Sequence, residues 1–324
     1  MKDAATFKRL TGVCSIGLVG AALTLGMAQP VQAQQVTFMT GPQGGSWIPL
    51  GGALKGLWES AVPDLKIQMT PGAGISNVRG IDAGKAQIGF GNSITTVDGV
   101  KGNPPYPKAT TNVCQVANLY PQYFQIVALA DSGINTVADL KGKSAVMQSR
   151  GNTAELITQH ILKTQGLTYD SLKKANFVAG YNDAVTMLKD GQAEVFTLGT
   201  TAPASAVMNL ASGRDIKLVG VDEKTLAAMQ KINPGYSLAT IKAGTYQKQD
   251  KDTKVIAYST HLIAACDLPE DTVYKMTKAM AERAGELTAV VKAVAGLTAK
   301  LMAEDIGVPY HKGAAKYYKE VGAL

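Results

Sequence analysis

The sequence predicts an α/β protein made of two lobes. Strand-like and helix-like segments alternate from the start of the run QVTFM, which precedes a helix predicted over residues 47–61. The alternation stops at the Pro-rich segment KGNPPYPKATT and resumes after two β-like runs, NVCQVANLY and FQIVALA. The 34 glycines among 324 residues are typical of the many tight strand–helix turns in such proteins.

The individual elements follow the same rhythm in both units. In the first, strands LKIQMT and AQIGFG precede helices at residues 76–83 and 93–100. The second contains strands SAVMQ, AEVFTLG and DIKLVGV, with helices in SRGNTAELITQHILKTQGL, in DAVTMLKDGQ and at residues 203–211. A long strand-like run, TKVIAYSTHLIAAC, then leads into a mainly helical region whose first helix opens with Pro and two acidic residues.

Four segments follow from this pattern. We predict a signal peptide at residues 1–33, the first part of lobe 1 at 34–123, lobe 2 at 124–258, and a mainly helical return to lobe 1 at 259–324. The alternative is one continuous doubly wound sheet, because βα alternation is typical of that architecture as well.

The N-terminal segment has the parts of a secretory signal. Lys2, Lys8 and Arg9 form a basic region, residues 10–28 carry no charge, and the small-residue motif VQA ends at Ala33. We predict cleavage after Ala33 and export, with a retained membrane anchor as the alternative. Cleavage would remove three basic residues and one acidic residue and lower the formal charge from +7 to +5. Such a mild excess, without basic runs, predicts no nucleic-acid partner.

The sequence contains no catalytic or metal-binding signature. His160, His261 and His311 form neither a helical pair nor a set with the cysteines, and neither a G-x-S-x-G motif nor a paired-carboxylate motif occurs. We interpret His160 and His261 as structural and His311 as the start of the last helix. We therefore predict no enzyme activity, no metal and no cofactor. Cys114 and Cys266 either form a disulfide in an oxidising compartment or lie buried as apolar residues.

The main functional signal is a set of polar turns that follow five predicted strands. The first, GPQGGSWIP, lacks both the Lys-Ser/Thr pair of a P-loop and G-x-G-x-x-G spacing, so no nucleotide site is predicted. In open α/β sheets ligands bind at the carboxyl ends of strands, and the helices that start there attract anions. The candidate ligand-binding residues are Gly44, Gly45, Ser46, Trp47, Gly74, Ser76, Asn77, Asn92, Ser93, Ser149, Arg150, Gly151, Asn152, Thr153, Thr200, Thr201 and Pro203.

Each turn alone is also explained by helix capping, because helix starts favour Ser, Thr, Asn and Gly. Together the turns predict a cleft in which a small anion meets several helix N-termini. Ser46 either caps its helix or contacts the ligand, and Trp47 supplies an apolar wall with one donor. Arg150, the only cation in these turns, is predicted to bind a carboxylate, with an exposed surface arginine as the alternative.

Several segments resemble the TAXI-type receptors of tripartite ATP-independent periplasmic (TRAP) transporters. In the order of that family they are GPQGGSWIPLGGAL, TPGAGISNVRGIDAGKAQIGFGNS, VADLKGKSAV, AGTYQKQDKDTKVIA, LPEDTVYKMTKAM and VPYHKGAAKYYKEVG. They span nearly all of the mature chain, and the ending H-x-G-A-x-x-Y-Y-x-E-x-G is the most characteristic. The departures lie in the pocket loops. Trp47 replaces a frequent Tyr, SRGNT replaces a GSGT-like turn, and Thr95 stands near a usual Asp.

The resemblance implies a type II-like periplasmic binding protein with a ligand cleft between its lobes. It also implies a monomer that delivers a small anionic metabolite to the membrane subunits of a TRAP transporter. Glutamate, a dicarboxylate or 2-oxoglutarate is the implied ligand, and the family's ligand loops match residues 44–47, 74–77, 92–93, 149–153 and 200–203. The alternatives are a receptor of an ABC importer, an exported enzyme on the same fold, and a ligand-presenting sensor subunit.

Overall fold

Ten strands of this computed structural model form one curled, mixed sheet. The structure describes residues 34–324, so the predicted signal peptide and its cleavage site lie outside the described residues. The strands are β1 (Gln34–Met39), β2 (Leu65–Thr70), β3 (Ile88–Asn92), β4 (Cys114–Leu129), β5 (Ser144–Gln148), β6 (Lys174–Val178), β7 (Val195–Thr200), β8 (Ile216–Leu218), β9 (Ser237–Ile241) and β10 (Thr253–Ala264). Their order is β2-β1-β3-β10-β4-β7-β5-β6, with β8 beside β4 and β9 beside β10.

Helices cover both faces of the sheet and fill the C-terminal region. They are α1 (Trp47–Ala61), α2 (Gly74–Asp82), α3 (Ser93–Lys101), α4 (Thr153–Thr164), α5 (Tyr181–Lys189), α6 (Ser205–Ala211), α7 (Glu223–Gln230), α8 (Glu270–Glu282), α9 (Ala284–Val290), α10 (Ala299–Met302) and α11 (Lys312–Glu320). Short 3-10 helices occur at Val137–Leu140, Tyr169–Ser171 and Lys292–Val294. No helix among residues 34–324 is long and apolar enough to cross a membrane.

Strands β4 and β10 run antiparallel and connect two lobes. The start of β4 pairs with the end of β10, and β4 then pairs with β7 from Tyr123 onward. Val116 and Leu262 belong to one hydrophobic core, whereas Phe124 and Ile256 belong to another. The predicted two-lobe α/β fold class is therefore confirmed. The boundaries at 123/124 and 258/259 fall within these two strands and remain our proposal for the lobe limits.

Cys114 and Cys266 are joined by a disulfide, which answers the question that the sequence left open. Cys114 begins β4, and Cys266 lies two residues beyond the end of β10. The bond therefore ties together, inside lobe 1, the ends of the two strands that reach across to lobe 2.

Several elements differ from the sequence-based expectations. The two β-like runs on either side of Pro121 form the single strand β4. Pro121 is exposed and lies before Tyr123, where the pairing with β7 begins. Its missing N–H therefore interrupts no hydrogen bond between β4 and β7. Strand β6, helix α7 and strand β9 have no sequence prediction. Strand β6 is only half-buried and lacks an apolar run. Helix α6 begins at Ser205, two residues after the predicted start at Pro203.

The strand directions place the polar turns together. Strands β1, β2 and β3 are parallel, as are β5, β6 and β7. Because the carboxyl ends of parallel strands meet at one edge of a sheet, the turns after β1, β2 and β3 share an edge in lobe 1. The turns after β5 and β7 share the corresponding edge in lobe 2.

Candidate ligand-binding site

The turns of the two lobes surround a small cavity. Its total empty space is about 300 Å³, of which about 20 Å³ can hold the centre of a water molecule. The cavity is lined by Pro42, Gly45, Ser46, Trp47, Gly74, Asn92, Gln122, Asn152, Ala154, Tyr181, Gly199, Thr200 and Tyr258. Among the residues that the structure describes, no charged side chain lines it. Its walls are hydroxyl, amide, backbone and aromatic groups.

Five helices begin at this cavity. Helices α1, α2 and α5 start with Trp47, Gly74 and Tyr181, while Asn92 and Asn152 precede α3 and α4. The Asn152 side chain caps α4 by accepting a hydrogen bond from the Ala154 N–H at 2.8 Å. The first N–H groups of a helix have no partner within it, and each N-terminus carries about half a positive charge. The arrangement therefore attracts negative charge without a basic side chain.

Direct hydrogen bonds join the two lobes around the cavity. Each pairs a turn of lobe 1 with a turn of lobe 2. The pairs are Tyr181 N to Gln43 O (2.9 Å), Ser46 N to Thr200 Oγ1 (3.3 Å), Ser76 N to Gly151 O (3.1 Å), Thr95 Oγ1 with Thr153 Oγ1 (3.1 Å) and Ser205 Oγ to Gly44 O (3.0 Å). The structure is therefore a closed form, in which the two lobes meet through the turns that surround the cavity.

Trp47 supplies an aromatic wall of the cavity. It is 5% exposed, and its ring stacks on Phe90 with 5.2 Å between centroids. With the Gln122 amide oriented to satisfy its neighbours, Oε1 accepts from Trp47 Nε1 at 2.6 Å and Nε2 donates to the Gly199 carbonyl at 3.2 Å. The apolar wall agrees with the sequence interpretation, whereas the indole N–H is used within the protein instead of pointing at a ligand.

Two polar side chains at the cavity are placed to meet an occupant. Asn92 is 3% exposed, and its Oδ1 is buried with no hydrogen-bond partner within residues 34–324. The Tyr258 hydroxyl lies where a Cβ atom at Gly199 would stand, so only glycine at 199 leaves room for it. Burial holds the pKa of Tyr258 well above its usual range, and it therefore offers a neutral O–H group.

The predicted site residues divide into three groups. Those that line the cavity are Gly45, Ser46, Trp47, Gly74, Asn92, Asn152 and Thr200. The second group lines two outer grooves. One groove contains Gly44, Thr201 and Pro203. The other contains Ser76, Ser149 and Arg150. Those that line neither are Asn77, Ser93, Gly151 and Thr153. The turns thus lie together around the cavity, but ten of the seventeen predicted residues do not line it.

The third group stabilises the loops. Asn77 Nδ2 donates to the carbonyls of Thr40 at 2.8 Å and Phe90 at 2.9 Å, which ties the turns after β1 and β3 together. Ser93 Oγ accepts from the Ser259 N–H at 3.1 Å. Gly151 and Thr153 take part in the bonds between lobes. These residues shape the site without touching its interior.

The sequence analysis missed six lining residues: Pro42, Gln122, Ala154, Tyr181, Gly199 and Tyr258. Gln122 and Tyr258 lie on the crossing strands β4 and β10, not in a turn after a strand. Strand β4 also contains Gln115, Asn118 and Gln125, so its sequence alone does not distinguish Gln122 as a lining residue. Tyr181 is the first residue of α5, which follows β6. Because the sequence analysis did not predict β6, it did not recognise the segment before Tyr181 as a turn between a strand and a helix.

Arg150 has the surface position that the sequence analysis kept as the alternative to carboxylate binding. Its side chain is 69% exposed and lies 3.6 Å from the Glu155 carboxylate. The guanidinium also stacks over the rings of Phe177, at 5.3 Å, and Tyr169, at 5.8 Å. It lines the outer groove and not the cavity. Glu155 lies in the first turn of α4, shortly after Arg150 in the sequence. Arg150 therefore pairs with a carboxylate of this protein and not with that of a ligand.

We expect Arg150→Ala to change ligand affinity by less than about twofold, because the guanidinium is exposed and outside the cavity, and the buried Glu155 carboxylate keeps two other hydrogen bonds. Calorimetric titration of both proteins checks this. Arg79→Ala is the matched control, since Arg79 is also exposed and stacks on an aromatic ring, that of Tyr106, and neither residue lines the cavity. A tenfold or greater loss with Arg150→Ala alone would return Arg150 to the ligand site.

The histidines lie outside the cavity lining. His160 Nδ1 is 2.8 Å from the Tyr236 hydroxyl, and His261, fully buried, places Nε2 2.7 Å from Thr96 Oγ1. His311 caps α11, where its side chain accepts from the Gly313 N–H. In the part of the chain that the structure describes, no group of three or more His, Cys, Asp or Glu residues is placed to hold a metal ion.

Solved structures show the same fold at low sequence identity. A Listeria monocytogenes protein provisionally assigned as an L-cystine ABC transporter is 18% identical, with a TM-score of 0.52, over 81% of this chain and 97% of its own. PhnD1 of Prochlorococcus marinus, in complex with methylphosphonate, is 12% identical, with a TM-score of 0.54, over 90% and 100%. An ancestral arginine-binding protein bound to arginine is 15% identical, with a TM-score of 0.50, over 81% and 98%. The fold is thus that of type II-like periplasmic binding proteins.

The family comparison corrects the resemblance to TAXI-type TRAP receptors. The family that matches is the NMT1-like family, over residues 38–322, which is nearly all of the part of the chain that the structure describes. The chain belongs to the NMT1-like family.

Proposed function

We propose that this protein is an exported solute-binding receptor that captures a small organic anion and delivers it to the membrane subunits of an ABC importer. The observation that carries the proposal is the cavity between the lobes, where five helix N-termini meet and no charged side chain of the described chain lies. Such a site favours an anion through backbone N–H groups and helix dipoles. It binds its ligand without catalysing a reaction.

The choice of an ABC importer rests on the comparisons. The neighbour provisionally assigned as an L-cystine ABC transporter and the arginine-binding protein cover most of this chain, as does the protein in complex with methylphosphonate.

Periplasmic localisation is supported by the signal-peptide pattern of residues 1–33 and by the disulfide, since disulfides persist in oxidising compartments.

Closure of the lobes is the proposed mechanism. Strands β4 and β10 connect the two lobes covalently. Each strand also contributes a residue to the cavity lining, Gln122 from β4 and Tyr258 from β10. A ligand that contacts Gly74 and Asn92 of lobe 1 and Asn152 of lobe 2 binds the closed form more tightly than the open one. The closed population therefore rises with ligand, and that form docks on the importer.

A thermal-shift screen of small carboxylates, sulfonates, phosphonates and amino acids tests the binding role. At a ligand concentration of 100 times the dissociation constant, the stabilisation is about 2.7 kcal/mol. We expect at least one small anion to raise the melting temperature in proportion to the logarithm of its concentration. A screen in which no anion does so would refute the proposal.

Uptake measurements in the native cell test the importer class. We expect uptake of the ligand to stop when the ATPase subunit encoded with this receptor is inactivated. Uptake should persist when the ion gradient is collapsed while ATP is maintained. The opposite result would refute delivery to an ABC importer while leaving the binding role intact.

A further inference from the structure

The size of the cavity limits its occupant, and the inference below rests on the proposed binding role. About 20 Å³ of the cavity can hold a water centre, compared with the about 10–15 Å³ that one water requires. The hydrogen bonds from Ser46 to Thr200 and from Ser76 to Gly151 hold the lobes together at its edges. The cavity has room for about one or two water molecules, so even a compact ligand must part the lobes slightly, and a large ligand would break these contacts.

The cavity favours one negative charge over two, because it is small and no cationic side chain of residues 34–324 lines it. Its helix N-termini favour an acidic group, although α2, α4 and α5 each already use one N–H group in a hydrogen bond within the protein. A second acidic group would need a cation, because a buried unpaired charge is strongly unfavourable. Arg150 is the cation in these turns, and it lies outside the cavity with its guanidinium 3.6 Å from Glu155. A dicarboxylate would therefore leave one of its carboxylates without a partner.

A ligand ammonium group is equally unsuited. No acidic side chain lines the cavity within the described residues. The buried carboxylate of Glu155 accepts from Gln159 at 2.6 Å and from the Tyr169 hydroxyl at 2.9 Å, outside the cavity. The positive ends of five helices would also repel an ammonium group. Zwitterionic amino acids are thus disfavoured as well.

The remaining polar group of the site calls for a neutral partner. Asn92 Oδ1 is buried without a hydrogen-bond partner, and leaving such an atom unpaired is costly. A hydroxyl group both donates and accepts, so it satisfies the Asn92 amide in either orientation. Trp47 and Ala154 provide the adjacent apolar surface for a short carbon chain.

We propose that the ligand is a short hydroxy monocarboxylate, with its carboxylate at the helix N-termini and its hydroxyl group on Asn92. One negative charge, no positive charge and a hydroxyl group match the polar groups of the cavity, and a short carbon skeleton requires the least parting of the lobes.

Four compounds of similar size separate these features in calorimetric titrations of the purified protein. Lactate has every feature, propionate lacks the hydroxyl group, alanine replaces it with an ammonium group, and malate adds a carboxylate. We expect lactate or its short hydroxy homologues to bind at least about tenfold more tightly than the other three, since loss of one good hydrogen bond costs about tenfold.

Alanine or malate binding as tightly as lactate would overturn the proposal, and so would a panel in which only other anions bind. In both cases the receptor role stands, because a ligand has been found. A panel of carboxylates, sulfonates, phosphonates and amino acids without any ligand would refute the receptor role together with this inference.

Asn92→Ala tests the assigned hydroxyl contact. We expect lactate affinity to fall to that of propionate and propionate affinity to stay within about twofold, because only lactate uses the amide. Asn135→Ala, at an exposed position in lobe 2, is the matched control and should bind both acids like the native protein. An equal loss of both acids in Asn92→Ala would show a merely structural asparagine and overturn the assignment.

Discussion

A Gly74→Val variant is expected to lose about 100-fold in ligand affinity while both lobes stay folded. Gly74 begins α2, and a Cβ atom there would collide with Thr153 Oγ1 across the cleft. Thr153 is buried, β-branched and hydrogen-bonded to Thr95 at 3.1 Å, so it cannot turn aside cheaply. Overpacking costs about 1–3 kcal/mol, and the collision with Thr153 arises only when the lobes close. A second collision, with Asn92 Nδ2 inside lobe 1, displaces the amide end of that side chain in the open form as well.

Calorimetry with an identified ligand measures the loss, and small-angle X-ray scattering shows its cause. The native protein should contract when ligand is added, whereas Gly74→Val should keep the radius of gyration of the open form. Gly52→Ala is the matched control, because a Cβ at this exposed position in α1 meets nothing within 4 Å. It should keep native affinity and gain up to about 1 kcal/mol in stability. Native affinity in Gly74→Val would show that these loops do not close on the ligand.

Elements with strong local patterns were predicted well from the sequence. Helix α1 has the predicted bounds, because Leu50, Leu54, Leu57 and Trp58 recur at helical spacing and are all buried. Strand β6 has no such pattern, since its side chains are only half-buried. Pro121 suggested a break between two strands, yet at that point β4 is paired on one side only, where proline is tolerated.

The candidate site was predictable to the extent that it consists of turns. Ser46, Gly74 and Asn152 follow strands and precede helices, and this local order alone places them at the sheet edge. Tyr258 reaches the cavity through the pairing of β10 with β4, a contact between segments more than 100 residues apart, which no local pattern encodes. The charge of Arg150 was visible in the sequence, but the direction of its side chain depends on packing in lobe 2.

Removal of the disulfide is the second change with a large expected effect. The bond joins Cys114 and Cys266 across a sequence separation of 152 residues. Cross-linking a loop of this length restricts the unfolded chain, and loss of a native disulfide costs about 2–5 kcal/mol. We expect the double variant Cys114→Ala, Cys266→Ala to lose this amount in free energy of unfolding. Urea denaturation followed by tryptophan fluorescence measures it.

The native protein in a reducing buffer is the control, and its unfolding midpoint should match that of the double variant under either condition. Ligand affinity below the melting temperature should remain within about twofold of native, because neither cysteine lines the cavity and both belong to lobe 1. An unchanged midpoint would show that the disulfide does not constrain the unfolded chain. A large loss of affinity at an unchanged midpoint would instead show that the bond fixes the ends of β4 and β10 in the orientation that closure needs.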